Sequence, residues 1–130
     1  MNQKHHVSLP IAKQLVEAGI VIESESQWEV GGKLSGKQNV TLVLRNRPPS
    51  FVSADSAWSF YPAPIATEIL EWFPRGYDFG FELIKLGEGY GAICKDYRVM
   101  PYKRIGFEKD DNAPNALALL LIRLAKDGLI

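Results

Sequence analysis

The chain has 130 residues, of which 46% are hydrophobic, a length and composition typical of one compact globular domain. Fifteen basic residues balance fifteen acidic ones, so no overall charge attracts nucleic acid or an anionic membrane. The single cysteine, Cys94, excludes an internal disulfide and a cysteine-based zinc cluster, and it favours a reducing setting. We therefore expect a single domain spanning residues 1–130.

The N-terminal segment predicts a surface helix over residues 10–18. Ser8 can cap this helix, Pro10 suits its first turn and Gly19 supplies a left-handed exit. The preceding "MNQKHHVSLP" lacks the apolar core of a signal peptide, and the longest apolar run, residues 116–122, is far shorter than the roughly 20 residues that a membrane span needs. We expect no membrane association and a cytoplasmic location.

Two strand patterns, "QWEV" and "NVTLVLR", predict a hairpin across the glycine-rich loop "GGKLSGKQ" at residues 31–38. This loop matches most of a phosphate-binding loop, but Gln38 stands where Ser or Thr should hold magnesium, and a strand pattern follows where a helix must begin. We therefore interpret it as a hairpin loop. "RPPS", ending at Ser50, should end the hairpin, and residues 50–60 show no clear period and predict an irregular connection.

The stretch "YPAPIATEILEWFPRG", residues 61–76, predicts a short helix bounded by prolines. Pro64 suits its first turn, and Pro74 ends it near Phe73. The apolar face comprises Ile65, Ile69, Trp72 and Phe73, and Glu68 and Glu71 lie opposite. This glutamate pair can be interpreted as paired catalytic carboxylates or, as we prefer, as solvated helix residues.

The C-terminal half predicts three strands and a helix. "YDFGFELIKL" alternates strongly, "GEGYG" turns it back, and "AICKDYRVM" and "RIGFEKD" follow around Pro101. "GEGYG" also resembles part of a dinucleotide fingerprint, but it joins two strands. The last helix should start after the cap candidates Asp110, Asp111 and Asn112 and close at Gly128. Its polar stripe is Asn115, Arg123, Lys126 and Asp127, with Leu119 inside it.

No set of residues predicts catalysis or metal binding. His5 and His6 are adjacent on a terminus that we expect to be unstructured, so they lack a third ligand in fixed geometry. Cys94 lies mid-strand and predicts a small core residue. Because no acid, base and nucleophile converge in the pattern, we predict a protein that is not an enzyme, with no cofactor and no metal.

Exposed rings are the best candidates for a binding surface. Eight aromatic residues lie between Trp58 and Phe81, more than a short helix needs for its core, so some of them should face a partner. The candidate binding residues are Trp58, Tyr61, Trp72, Tyr77 and Leu119. A nucleic-acid alternative uses the basic and aromatic segment "CKDYRVMPYKRIGF". Its cations are Lys95, Arg98, Lys103 and Arg104.

Three segments, "SLPIAKQLVEAGI", "YPAPIATEILEWFP" and "NAPNALALLLIRLAKDGLI", occur in this order. Together they resemble small proteins of unknown function encoded by phages, prophages and mobile elements, notably those of Bacteroides-type bacteria. The relatives often carry Cys-Ser-Leu-Glu at the first helix, where this chain has Val7, Ser8, Leu9 and Pro10. The resemblance implies a phage accessory protein in the host cytoplasm that acts on host or defence machinery, and it transfers no catalytic residue.

The sequence therefore predicts a single α+β domain with an antiparallel sheet of about four to five strands covered by helices. The leading functional hypothesis is a non-enzymatic protein-interaction module with a host protein as partner. The alternatives are a small-molecule or nucleotide binder that uses Trp58, Tyr61 or Tyr77 as stacking platforms, and a single-stranded nucleic acid binder. A homodimer that buries Leu119 is a further alternative, because two-fold symmetry is the commonest in small proteins.

Overall fold

The computed structural model of the chain describes residues 2–31, 39–44, 59–74 and 76–130. Within these residues the chain is an α+β domain with three α-helices and two antiparallel sheets. The helices are α1 (Leu9–Glu17), α2 (Ala66–Leu70) and α3 (Ala113–Lys126). The strands are β1 (Ser26–Gly31), β2 (Asn39–Leu44), β3 (Ser59–Pro62), β4 (Phe79–Leu86), β5 (Gly89–Asp96) and β6 (Lys103–Asp110).

The strands form two three-stranded sheets, in the orders β2-β1-β3 and β4-β5-β6. The prediction of one sheet of four to five strands was therefore wrong. The sequence did not predict β3, whose residues fall at the end of the expected irregular connection and at the start of the proline-bounded stretch. This strand pairs with the free edge of β1, Trp28 opposite Tyr61. Within the described residues, β1, β2 and β3 pair with one another and β4, β5 and β6 with one another, which gives two sheets. A four-residue strand ending in Pro62 carries too short an alternation to detect.

The core surrounds α3, which lies between the second sheet on one side and α1 and α2 on the other. Helix α3 packs on β5 and β6, and its leucines Leu117, Leu120, Leu121 and Leu124 are fully buried. Gly106 on β6 permits this close approach, since a Cβ atom there would lie 2.8 Å from Leu120 Cδ1. The predicted signals of this helix are confirmed: Asn112 caps it by accepting the Asn115 N–H, and Gly128 follows it at φ +73°.

The N-terminal segment is ordered, contrary to the prediction. Residues 6–8, which we call the N-terminal strap, connect the start of α1 to distant parts of the chain. The Val7 N–H donates to the Pro64 carbonyl at 3.1 Å, and the Val7 carbonyl accepts from Trp28 Nε1 at 2.8 Å. His6 is buried, and its Nδ1 donates to the Ala63 carbonyl at 2.8 Å. These acceptors and donors lie far away in sequence, so no local pattern reveals them.

Two more hydrogen bonds join the strap to the start of α3. Asn112 Nδ2 donates to the His6 carbonyl at 3.0 Å. The Ser8 N–H donates to Asn115 Oδ1 at 2.8 Å. Ser8 occupies the predicted N-cap position of α1, but its side chain makes no capping hydrogen bond. Asn115 was expected in the exposed polar stripe of α3. It is buried instead, because its side-chain amide binds the N-terminal strap.

Helix α2 is shorter than predicted, and its glutamate has a structural role. Glu68 Oε1 accepts from the Ile65 N–H at 2.9 Å, and from Ser24 Oγ at 2.9 Å. Glu68 thus caps its own helix and attaches it to the segment before β1, which favours the non-catalytic reading of this residue. Phe73, after the helix, is buried and contacts the Phe81 ring at 4.5 Å between centroids.

Candidate functional site

The five predicted binding residues lie on separate parts of the structure. Trp58, like the phosphate-loop-like residues 32–38 and the "RPPS" segment, falls outside the described residues. Tyr61 on β3 packs against the core, with Lys13 Nζ 5.7 Å from its ring centroid. Leu119 on α3 is half-buried and also packs against the core. Trp72 and Tyr77 are exposed, and the Tyr77 side chain is almost completely free.

Tyr77 stands at one end of the second sheet, where three strand ends lie side by side. β4 begins at Phe79, which pairs with Asp96 at the end of β5, and Asp96 pairs with Lys103 at the start of β6. The Asp78 carbonyl accepts the Tyr97 N–H at 2.8 Å, which extends the β4–β5 ladder by one residue pair. The chain around Tyr77 is therefore held beside the loop that joins β5 to β6.

The exposed side chains at this end form a surface that we call the tyrosine tip. It consists of Tyr77, Tyr97, Val99, Met100 and Tyr102. Tyr77 is 99% exposed and Met100 is 95% exposed. Burial of such side chains on folding is the usual outcome, so two large side chains left open on one sheet end indicate a surface available to a partner.

The other two rings of the tip, Tyr97 and Tyr102, are about half exposed and are held by contacts with neighbouring residues. Tyr97 covers Gly80 so closely that a Cβ atom there would lie 2.5 Å from the Tyr97 ring. Tyr97 and Tyr102 contact each other with centroids 5.7 Å apart. Lys95 Nζ lies 4.9 Å from the Tyr102 centroid and forms an ion pair with Glu82 at 2.8 Å. The rings are thus fixed in place, which lowers the entropy that binding would cost.

Asp96 holds the loop between β5 and β6 in shape. Its side chain is mostly buried and accepts the Arg98 N–H at 2.9 Å, Arg98 Nε at 3.0 Å and Arg98 Nη2 at 3.0 Å. These bonds from Arg98 hold the pKa of Asp96 below its ordinary value, and the same contact raises the pKa of Arg98. The Arg98 guanidinium also lies 4.7 Å from the Phe79 centroid. The tip is therefore a preorganised surface.

We predict that Asp96→Asn lowers the thermal midpoint at pH 7 and that the difference from wild type shrinks in acid. The folded pKa of Asp96 lies below its ordinary value of 3.8, so its contribution is complete above that value and is lost as pH falls through the folded pKa. Thermal melts of both proteins between pH 7 and pH 2 measure this. The control is Asp111→Asn, at an exposed carboxylate outside this cluster of charges. A midpoint difference that stays constant down to pH 2 would contradict the role of Asp96.

The structure also brings together the four cations of the nucleic-acid alternative. Lys95 and Arg98 have acidic partners, Glu82 and Asp96. For Lys103 and Arg104 no ion pair is found within the described residues. The four cations were predicted from the sequence. Val99, Met100 and the hydrogen bonds between Arg98 and Asp96 were not. A signal was present, because "DYRVMP" places an acid two residues before an arginine and an apolar pair before proline.

Cys94 is a further potentially reactive group of the described chain. Cys94 lies on β5 with 1% of its surface exposed, as predicted. Burial raises the pKa of its thiol, and the negative charge of Asp96 raises it further. Within the described ranges no three His, Cys, Asp or Glu side chains are grouped to hold a metal ion. In the same ranges no helix has the length and apolar character to cross a membrane.

Comparison of the chain with protein families, with curated proteins and with solved structures finds no match. The resemblance to phage and prophage proteins therefore stays a prediction.

Proposed function

We propose that this protein is a non-enzymatic protein-interaction module and that the tyrosine tip is its partner-binding surface. The observation that carries the proposal is the near-complete exposure of Tyr77 and Met100 on a sheet end where Tyr97 contacts Tyr102 and Arg98 is bound to Asp96. Tyrosine, methionine and arginine are enriched in protein interfaces, and tyrosine and arginine dominate their binding energy. The tip contains tyrosine and methionine, and Arg98 lies in the loop beside them, where it is bound to Asp96.

The ring contacts favour a protein partner over stacked bases. A base-stacking platform needs open ring faces beside unpaired cations. At this sheet end Tyr97 covers Gly80, Lys95 lies over Tyr102 and Arg98 lies over Phe79. Since three of the rings are engaged, what the tip offers is ring edges, hydroxyl groups and the free side chains of Tyr77 and Met100. Such groups suit the mixed apolar and polar surface of a protein.

The resemblance to phage and prophage proteins supplies a setting for this proposal. We propose that the module acts in the cytoplasm of a bacterial host and that its partner is a host protein, including components of defence machinery. The same proposal leaves the protein without a catalytic reaction or a cofactor.

The proposal is tested with a double variant at the tip, Tyr77→Ser with Met100→Ser. We expect host proteins captured by the wild type in quantitative affinity purification to be reduced at least about tenfold, because both free anchors are removed. Trp72→Ser is the matched control, since Trp72 is 41% exposed but lies outside the tip. Both substituted side chains of the double variant are solvent-exposed, so its unfolding midpoint should match that of the wild type.

Four results would count against the tip. Equal capture by wild type and double variant would place the binding surface elsewhere, and loss with Trp72→Ser alone would place it near α2. Salt-sensitive binding of a fluorescent single-stranded oligonucleotide, lost in Lys103→Ala with Arg104→Ala, would favour the nucleic-acid alternative. A thermal shift of several degrees with a nucleotide would favour the small-molecule alternative.

A further inference from the structure

The edge of β4 presents a row of open backbone groups. Among the strands that the structure describes, β4 pairs only with β5. Because the Asp78 carbonyl points to β5, and backbone direction alternates along a strand, residues 80, 82, 84 and 86 also point to β5. The N–H and C=O groups of Phe79, Phe81, Leu83 and Lys85 therefore point away from the sheet. This is the arrangement that accepts another strand.

The described part of the chain has three other edge strands, β2, β3 and β6. β2 has only six residues against eight in β4, and the edges of β3 and β6 are protected. On β6, Arg123 Nη1 donates to the Phe107 carbonyl at 3.4 Å, and a bulge breaks the register between Cys94 and Lys95 of β5. β3 has four residues and ends in Pro62. Short strands, bulges and proline are the devices that prevent edge pairing.

β4 lacks these devices. It has eight residues, no proline, and Leu83 at its centre is 38% exposed. Its two charged residues are engaged within their own sheet, Glu82 with Lys95 and Lys85 over the Tyr90 ring at 4.8 Å. Because both charged side chains already have partners in their own sheet, they oppose the pairing of another strand with this edge less than unpaired charges would.

We propose that a second copy of the chain pairs antiparallel with β4 about a two-fold axis at Leu83. The middle of β4 lies between Glu82 and Leu83, so a two-fold axis at either residue pairs the largest number of residues between two copies of the strand. An axis at Glu82 places two glutamates directly opposite each other, which is unfavourable. An axis at Leu83 places Glu82 opposite Ile84 and Lys85 opposite Phe81, so no like charges meet. The result is a continuous six-stranded sheet with a closed, isologous interface.

This dimer differs from the one suggested by the sequence, which buried Leu119. Leu119 already packs against the core of its own chain. On the outer side of β4, by contrast, no strand is found among the residues that the structure describes. The dimer uses the backbone groups of β4 and none of the side chains of the tyrosine tip. The proposed dimer and the proposed partner surface can therefore fail independently.

The first test combines light scattering, which measures the mass of the particle in solution, with hydrogen exchange over a range of protein concentrations. We expect the mass in solution to rise towards twice the 14.5 kDa of the chain as concentration increases. The amides of Phe81, Leu83 and Lys85 should gain protection over the same range, because each donates across the new strand pair. A mass that stays at one chain at every concentration overturns the proposal. So does a dimer in which these three amides exchange as fast as at high dilution.

The second test is a charge at the axis. Leu83→Lys places two like charges opposite each other and should weaken dimerisation roughly tenfold or more. Leu83→Thr is the matched control, because threonine favours strands and adds no charge, and it should keep the dimer. Circular dichroism confirms that both variants are folded. Equal dimerisation of Leu83→Lys and wild type, or growth beyond two chains, would rule out this interface.

Discussion

Replacing Leu120 by alanine is expected to lower the free energy of unfolding by about 3 kcal/mol. The Leu120 side chain is completely buried on α3, and its Cδ1 atom lies where a Cβ atom of residue 106 would be only 2.8 Å away. Truncation therefore removes apolar contacts and leaves a cavity between the helix and β6 that close-packed neighbours cannot fill. Urea unfolding followed by circular dichroism measures the loss.

Leu119→Ala is the matched control, because it makes the same chemical change one residue earlier. Leu119 is half-buried, so its loss should be smaller, about 1 kcal/mol. The comparison also tests the phase of α3. Equal losses at the two positions would mean that Leu119 lies deeper than the structure shows, and a larger loss at Leu119 would reverse the assignment of the buried face.

Asn115→Ala is expected to cost about 2 kcal/mol, a large effect for a polar residue. The Asn115 side chain is buried, accepts the Ser8 N–H at 2.8 Å, and donates to Asp110 Oδ1 at 3.1 Å. Truncation leaves the Ser8 N–H without its acceptor at the point where the N-terminal strap joins α3. The higher helix propensity of alanine offsets only about 0.5 kcal/mol of the loss.

The control for Asn115 is Asp111→Ala, at an exposed residue before the same helix. It should stay within about 0.5 kcal/mol of wild type. Hydrogen exchange then locates the effect of Asn115→Ala, since the amides of Val7 and Ser8 should lose protection before those of β5. Unchanged stability with unchanged exchange at these two amides would show that the strap is held without Asn115.

Local signals determined much of the fold. Gly19 and Gly128 end α1 and α3 with positive φ angles, and Asn112 caps α3, as their positions in the sequence predicted. The β1–β2 hairpin and the β4–β6 meander were also predicted, because alternation and glycine turns are properties of neighbouring residues. The sequence also identified Tyr77 as a candidate, on the basis that the chain carries more rings than its core needs.

Only the tertiary structure decided how these elements combine. The pairing of β3 with β1 divided the strands into two sheets, and five hydrogen bonds ordered a terminus that has no helical or strand pattern of its own. The tyrosine tip likewise depends on the register that places the start of β4 beside the β5–β6 loop. These features rest on contacts between residues up to 107 positions apart. Periodicity and capping signals describe only a few neighbouring residues, so they carry no information about which distant groups will meet.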